Sequence, residues 1–322
     1  MAQATGTYSS YDAADANRED LSDMIWDVSP SETPFLSAIK KVKAKATNHE
    51  FLTDSLEDAA ANAQVEGDDA SPSAPTAPTR LSNYCQILRK AAVVSGTQES
   101  VDKAGRKSEM AYQLARRMKA IKKDLEWAMI DGGGTGGIGN AKAAGSDPST
   151  AREMGSIQTY ITSAVSVGAT TGAAATGNGV DTMTAGTARD FTETLLTGVL
   201  QTCYTDGGDP KLLFVSPTNK GVVSGFTGGG THYVDKDDKK LVNSVDVYIG
   251  DFHTLKVIPS RHIANELVAA IDPEYMAYAE LRPVSASDLA VTGDSMRKQI
   301  IMEGTLEVCN PDAHALVADT NG

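Results

Sequence analysis

The longest uninterrupted helical pattern in the chain runs from Gly105 to Ile130. Within it Met110, Leu114, Met118, Ile121, Leu125 and Met129 recur at three- and four-residue steps, which predicts one apolar helix face. The other positions are mostly Ala, Glu, Lys, Arg and Leu, all good helix formers. Such a helix is roughly 40 Å long at 1.5 Å per residue. A second helical pattern spans Thr187 to Tyr204, and Pro217 to Phe226 allows a short third. Strand patterns occur at 47–56 and 81–96, and again at 154–162, 211–216, 245–249, 254–259, 268–271, 275–281 and 298–309. The two earliest flank a long polar stretch carrying Pro72, Pro75 and Pro78. A structureless connection of that length is unusual inside a compact domain, so it predicts a projecting hairpin. Ala164 to Gly186 is nearly all small residues and predicts a loop with little to bury. No strand-helix-strand repeat emerges, so the expected class is α+β.

Ahead of these elements the chain is acidic and polar to about Asp23, then carries Trp26, Phe35 and several aliphatics around Ser29-Pro30. Thr33 and Pro34 suit the cap and first position of a short helix. An apolar-studded arm without a long helix of its own needs a surface to pack on, such as a neighbouring subunit.

Composition narrows the options. The chain has 322 residues and a net charge of −13, which argues against bulk nucleic-acid binding through the average surface. The long helix is locally different, with Arg106, Lys107, Arg116, Arg117, Lys119, Lys122 and Lys123 outnumbering Glu109, Asp124 and Glu126. No membrane-spanning run or secretory signal is expected. Cys85, Cys203 and Cys309 are far apart and read as small, half-buried apolar residues in a reducing compartment. The five histidines form no motif. Gly134 to Gly139 (GTGGIG) matches GxGxxG formally, but it follows a helix rather than a strand, so a flexible helix exit is the better reading. Asp235 to Asp238 lacks the later ligands of a calcium loop and suits a hairpin tip. No cofactor is expected, and nothing specific supports an enzyme.

An arm, a long hairpin, a spine-like helix and an inserted segment bounded by Gly/Ala-rich loops make poor sense in a lone globule. They suit heterologous contacts among copies of one chain, which close into rings or shells. The strings REDLSDMIWDVSPSETPFLSAI, TRLSNYCQILRKAAVVSGTQESV, AGRKSEMAYQLARRMKAIKKDLE and LAVTGDSMRKQIIMEGTLEVCNPDAH span most of the chain. In them the sequence resembles the major capsid proteins of tailed phages with the Hong Kong 97 fold.

The resemblance implies an N-terminal arm (1–46), an extended E-loop (47–94) and a peripheral domain in two pieces (95–154 and 273–322). An axial domain (155–272) would lie between those pieces. It also implies pentamers and hexamers in an icosahedral shell around double-stranded DNA, assembled in the host cytoplasm. The other partners would be a portal, separate scaffolding and decoration proteins, and weak non-specific contacts with packaged DNA. The alternatives are another virion part, such as a decoration or tail component, or a nucleotide-binding enzyme. The candidate inter-subunit or DNA-facing residues are the seven cations named above, Glu57, Asp58, Glu66, Asp68 and Asp69 of the E-loop, and Trp26 and Phe35 of the arm.

Overall fold

A computed structural model describes residues 32–54, 56, 59–69, 77–103, 105–131, 139–145, 149–226 and 246–321. In chain order, α1 (Pro34–Ala38) leads into β1 (Lys40–Lys43), and β2 (Asn48–Thr53) is followed by β3 (Thr79–Tyr84) and β4 (Gln86–Ser95). Next come α2 (Gly96–Ser100) and the long α3 (Glu109–Ile130). Two short strands, β5 (Val165–Ser166) and β6 (Arg189–Asp190), precede α4 (Glu193–Thr205), β7 (Leu212–Val215) and α5 (Pro217–Ser224). After these come β8 (Val247–Ile249), β9 (Thr254–Pro259) and β10 (Val268–Ile271), then two long strands, β11 (Met276–Asp288) and β12 (Ser295–Val308). The chain closes with β13 (Ala315–Val317) and β14 (Thr320–Asn321). The mixture of helices with two multi-stranded sheets is the α+β class expected.

The first sheet has the order β1-β11-β12-β4 and packs beneath α3. β11 and β12 form a long antiparallel hairpin, where the sequence pattern suggested several short strands. β11 carries register shifts between Glu280 and Arg282 and between Arg282 and Ser285. Pro283 lies in that stretch, and a residue with no N–H to give to the ladder is tolerated at such irregularities. Gly304 of β12 lies beneath the buried Tyr278 ring, where a Cβ would sit 2.3 Å from the phenol oxygen.

The second sheet has the order β5-β13-β10-β7-β9-β8 and is covered on both faces. Successive side chains point to opposite faces. Leu213, Val215, Val268, Ala270, Ala315 and Val317 therefore join the layer under α4 and α5. Phe214, Ala269, Ile271 and Leu316 instead join the core shared with α3 and the first sheet. Burial on both faces explains why these strands read as continuous apolar runs rather than alternating ones. It also corrects the division expected for 273–322, because β13 pairs with β10 and β5 of the second sheet, not with β11 and β12.

Several other expectations change. The 154–162 stretch is a buried 3-10 turn at Ile157–Thr159 rather than an edge strand. The 81–96 pattern is broken at Cys85: β3 pairs with β2, whereas β4 joins the first sheet. The 164–186 segment is ordered and buries Ala164, Ala175 and Met183. Its glycines serve close backbone packing, since a Cβ on Gly186 would lie 2.4 Å from the Gly168 carbonyl oxygen. Gly134 to Ile138, the 235–240 run and the 1–31 segment fall outside the described residues.

Candidate assembly interface

The long helix starts later than its sequence pattern. Ser108 is the N-cap, and its hydroxyl accepts from the Ala111 amide at 3.2 Å. The Glu99 carboxylate, from α2, accepts from the amides of Glu109 (2.9 Å) and Met110 (3.3 Å). Together they satisfy N–H groups that a helix leaves open in its first turn. The Ser108 hydroxyl, with these amides, holds the Glu99 carboxyl below its ordinary range. Arg106 and Lys107 therefore precede the helix instead of lying on it. Arg106 is paired with Glu109, and its guanidinium lies 4.9 Å from the centre of the Tyr112 ring.

The apolar face of α3 splits in two. Ile121, Leu125, Ala128, Met129 and Ile130 are buried against the sheets, and Met110 packs on Ala92 and Val94. Met118, expected on the buried face, is 38% exposed, and Trp127 is 43% exposed. Arg116, Arg117, Lys119 and Lys122 are exposed and form no ion pair among the described residues. Lys123 is half-buried beside His262. On the sheet side, Lys90 pairs with Asp124 at 2.6 Å.

The β2–β3 ribbon is held at its root, and its described residues beyond Thr53 are exposed. Fully buried Asn83 donates to the carbonyls of Gly155 (3.1 Å) and Leu306 (2.9 Å), and its Oδ1 accepts from the amides of Tyr84 and Gly155. The Lys142 ammonium donates to the Ser82 carbonyl at 2.7 Å, and the Tyr160 hydroxyl donates to the same oxygen at 3.0 Å. His49 Nε2 lies 3.1 Å from Glu307 Oε2, which ties β2 to β12. Past Thr53 every described residue up to Pro78 is exposed. Leu52, Leu56 and Val65 stand 63%, 96% and 78% exposed. Glu66, Asp68 and Asp69 are exposed at a turn and form no ion pair among the described residues. Glu57, Asp58 and Trp26 lie outside the described residues.

Phe35 corrects the expectation for the arm. It is completely buried in its own chain and meets Phe214 edge-on, with ring centres 5.6 Å apart. The arm's apolar anchor thus packs on this subunit rather than on a neighbour.

Sequence reasoning passed over several polar residues that hold these parts together. Glu303 is buried between Arg152 and Arg282, each at 2.6 Å, and Glu126 is buried on α3. Both look like ordinary surface carboxylates in one dimension. Asn83 carries no signal in the strand pattern. The cysteines are more buried than expected: Cys85 and Cys203 are fully buried and Cys309 is half-buried. Burial pushes their thiols up to about 11, 12 and 12, which keeps them protonated. Burial also drives His314 down to about 3, so it is a neutral acceptor for the Asp272 amide. Among the described residues no group of His, Cys, Asp or Glu could hold a metal ion, and no helix is long and apolar enough to cross a membrane.

A double-sheet body under one long helix, with a ribbon rooted in it, is the fold of shell-building capsid subunits. It aligns with the capsid of a native GTA particle at a TM-score of 0.66, with 13% identity over 99% of this chain and 100% of that one. A chain from Microbacterium phage Oxtober96 aligns at 0.63, with 12% identity over 97% and 99%. The holo-SrpI encapsulin complex from Synechococcus elongatus PCC 7942 aligns at 0.54, with 8% identity over 98% and 96%.

The chain belongs to the SU10 major capsid protein family, whose model matches residues 3–321. It is also 26% identical to the major capsid protein of Escherichia phage Phieco32, over 96% of each chain. Its function is that of a tailed-phage major capsid protein, a structural subunit of the virion used in many copies.

Proposed function

We propose that the subunits meet through the β2–β3 ribbon of one copy and the exposed face of α3 of the next. The supporting observation is complementarity between two exposed surfaces whose charged groups form no ion pair among the described residues. The ribbon tip offers Leu52, Leu56 and Val65 with Glu66, Asp68 and Asp69, and α3 offers Met118 and Trp127 with Arg116, Arg117, Lys119 and Lys122. Opposite charges of this kind guide register and encounter more than they add affinity, and an exposed pair contributes about 1 kcal/mol or less. Glu57 and Asp58 extend the acidic run in the sequence, and Lys107 and Lys123 flank the basic one.

In this reading residues 1–46 are an arm, 47–94 the E-loop, and 95–154 with the β11–β12 hairpin the peripheral domain. Residues 155–272, joined by β13, are the axial domain. Pentamers and hexamers close an icosahedral shell in the host cytoplasm. A portal and separate scaffolding and decoration proteins complete the head, and double-stranded DNA fills it through weak contacts. The paired substitution R116E/R117E should reduce assembled particles at least tenfold in electron micrographs while leaving the melting temperature of the free chain in place. Unchanged particle yield would remove these two arginines from the contact. If the yield held but packaged DNA fell, α3 would face the DNA.

A further inference from the structure

We propose that Glu126 is a proton-operated latch that sets how firmly the arm segment carrying α1 docks onto α3. The first turn of α1 has no cap of its own. Pro34 brings no N–H, and the Thr33 side chain makes no capping bond. The missing acceptor comes from another element, because Glu126 Oε2 accepts from the Leu36 amide at 3.3 Å. This carboxyl is fully buried, its Oε1 has no hydrogen-bond partner, and no cation pairs with it among the described residues. It sits where three parts of the chain converge: the arm through Phe35 and Leu36, the long helix, and the segment after β9 through Ser260.

A buried carboxylate without a counter-charge is costly, and taking up a proton removes most of that cost. Burial pushes Glu126 up to about 7, against the smaller opposing pull of the Leu36 and Phe35 amides and the Ser260 hydroxyl. Undocking α1 would admit water and return the carboxyl to an ordinary value near 4.5. The docked arrangement therefore binds a proton that the open one releases. Docking is strongest below about pH 4.5, weakens as pH rises through 7, and is level above that.

The ionisable groups on the surrounding elements are Glu32 before α1, Arg261 and His262 after β9, Lys123 on α3, Asp131 at its C-cap, and Glu266. Burial, then Glu266, raises Asp131, so it acts in the same sense as Glu126. Burial, then Lys123, lowers His262, so its contribution has the opposite sign and is lost as pH falls. Of these groups, the Glu126 carboxyl is the one bonded to α1 amides among the described residues, and its shift is the largest.

Hydrogen exchange at the Leu36 amide of the full-length chain, corrected for intrinsic rates, tests the latch. Protection should fall about tenfold or more between pH 5 and pH 7.5. The E126Q variant, whose side chain keeps an acceptor oxygen but cannot ionise, should show protection independent of pH over that window. A flat profile in the unsubstituted chain, or an E126Q profile as steep as the original, would overturn the proposal. If E126Q does not fold, H262Q decides: the proposal holds if protection still falls between about pH 4.5 and 7 and fails if the slope disappears. The exchange measurement needs no assembled particle, so it stands apart from the reading of subunit contacts above.

Discussion

The two halves of α3 share one helical pattern and have different fates. From Ile121 to Ile130 the helix is wedged between both sheets, with Ile121 and Met129 wholly buried. From Ala111 to Lys119 no residue is buried, although Leu114 and Met118 continue the same spacing. Periodicity therefore marks a face that prefers to be covered, and it does not say which molecule covers it. In a subunit built for assembly, one stretch of such a face can serve the core and the next can be left for a neighbour.

Substitution along the helix can break or sharpen this contrast. The largest effect is expected at Leu125, which is 1% exposed: Leu125→Ala should destabilise the free chain by about 2–5 kcal/mol in denaturant unfolding. Next is the sheet beneath the helix. In Gly304→Ala the new methyl overlaps the buried Tyr278 ring, and a cost of about 1–3 kcal/mol is expected for overpacking that cannot relax freely.

The ribbon root should show its own acid sensitivity. The His49 side chain, more than any other group, holds the Glu307 carboxyl below its ordinary value. That stabilisation is present above about pH 4.5 and is lost as pH falls through the lower folded value. Acid unfolding should therefore have a component below pH 4.5 that His49→Gln removes. The smallest effect on the free chain belongs to Met118→Ala, within about 0.5 kcal/mol. Its consequence should appear in the assembled particle, as lower thermal stability of the shell. If Met118→Ala cost the free chain as much as Leu125→Ala, the division of the helix would be wrong.

Much of this was legible in one dimension because it depends on local periods and punctuation. The helix exit at Ile130 and the strands at Thr254–Pro259 and Val268–Ile271 coincide with their patterns. The ribbon followed from two strand patterns around a proline-studded tip. The quoted strings carried the family resemblance, although the overall match to solved capsid folds is only 12–13% identical. What stayed hidden depends on partners far away in the chain. Thr33 has the residue type of a cap, yet the amides it should satisfy turn to Glu126, ninety positions on. Phe35 looked like an anchor for a neighbour because its pocket is built from Phe214 and the α3 core, which no local window contains. The small-residue segment at 164–186 looked empty because its packing is backbone against backbone, which leaves no hydrophobic pattern.

The sequence by itself determined the long helix and much of the strand pattern, the acidic balance, the basic stripe along that helix and the family resemblance. Each of these follows from residue type and spacing along the chain. Only the tertiary structure decided which half of α3 is core, that β13 returns to the second sheet, and that Glu126 and Glu303 are buried. Burial and the pairing of distant groups are properties of the whole packing. A carboxylate becomes a latch or a buried ion-pair centre only when other segments close over it.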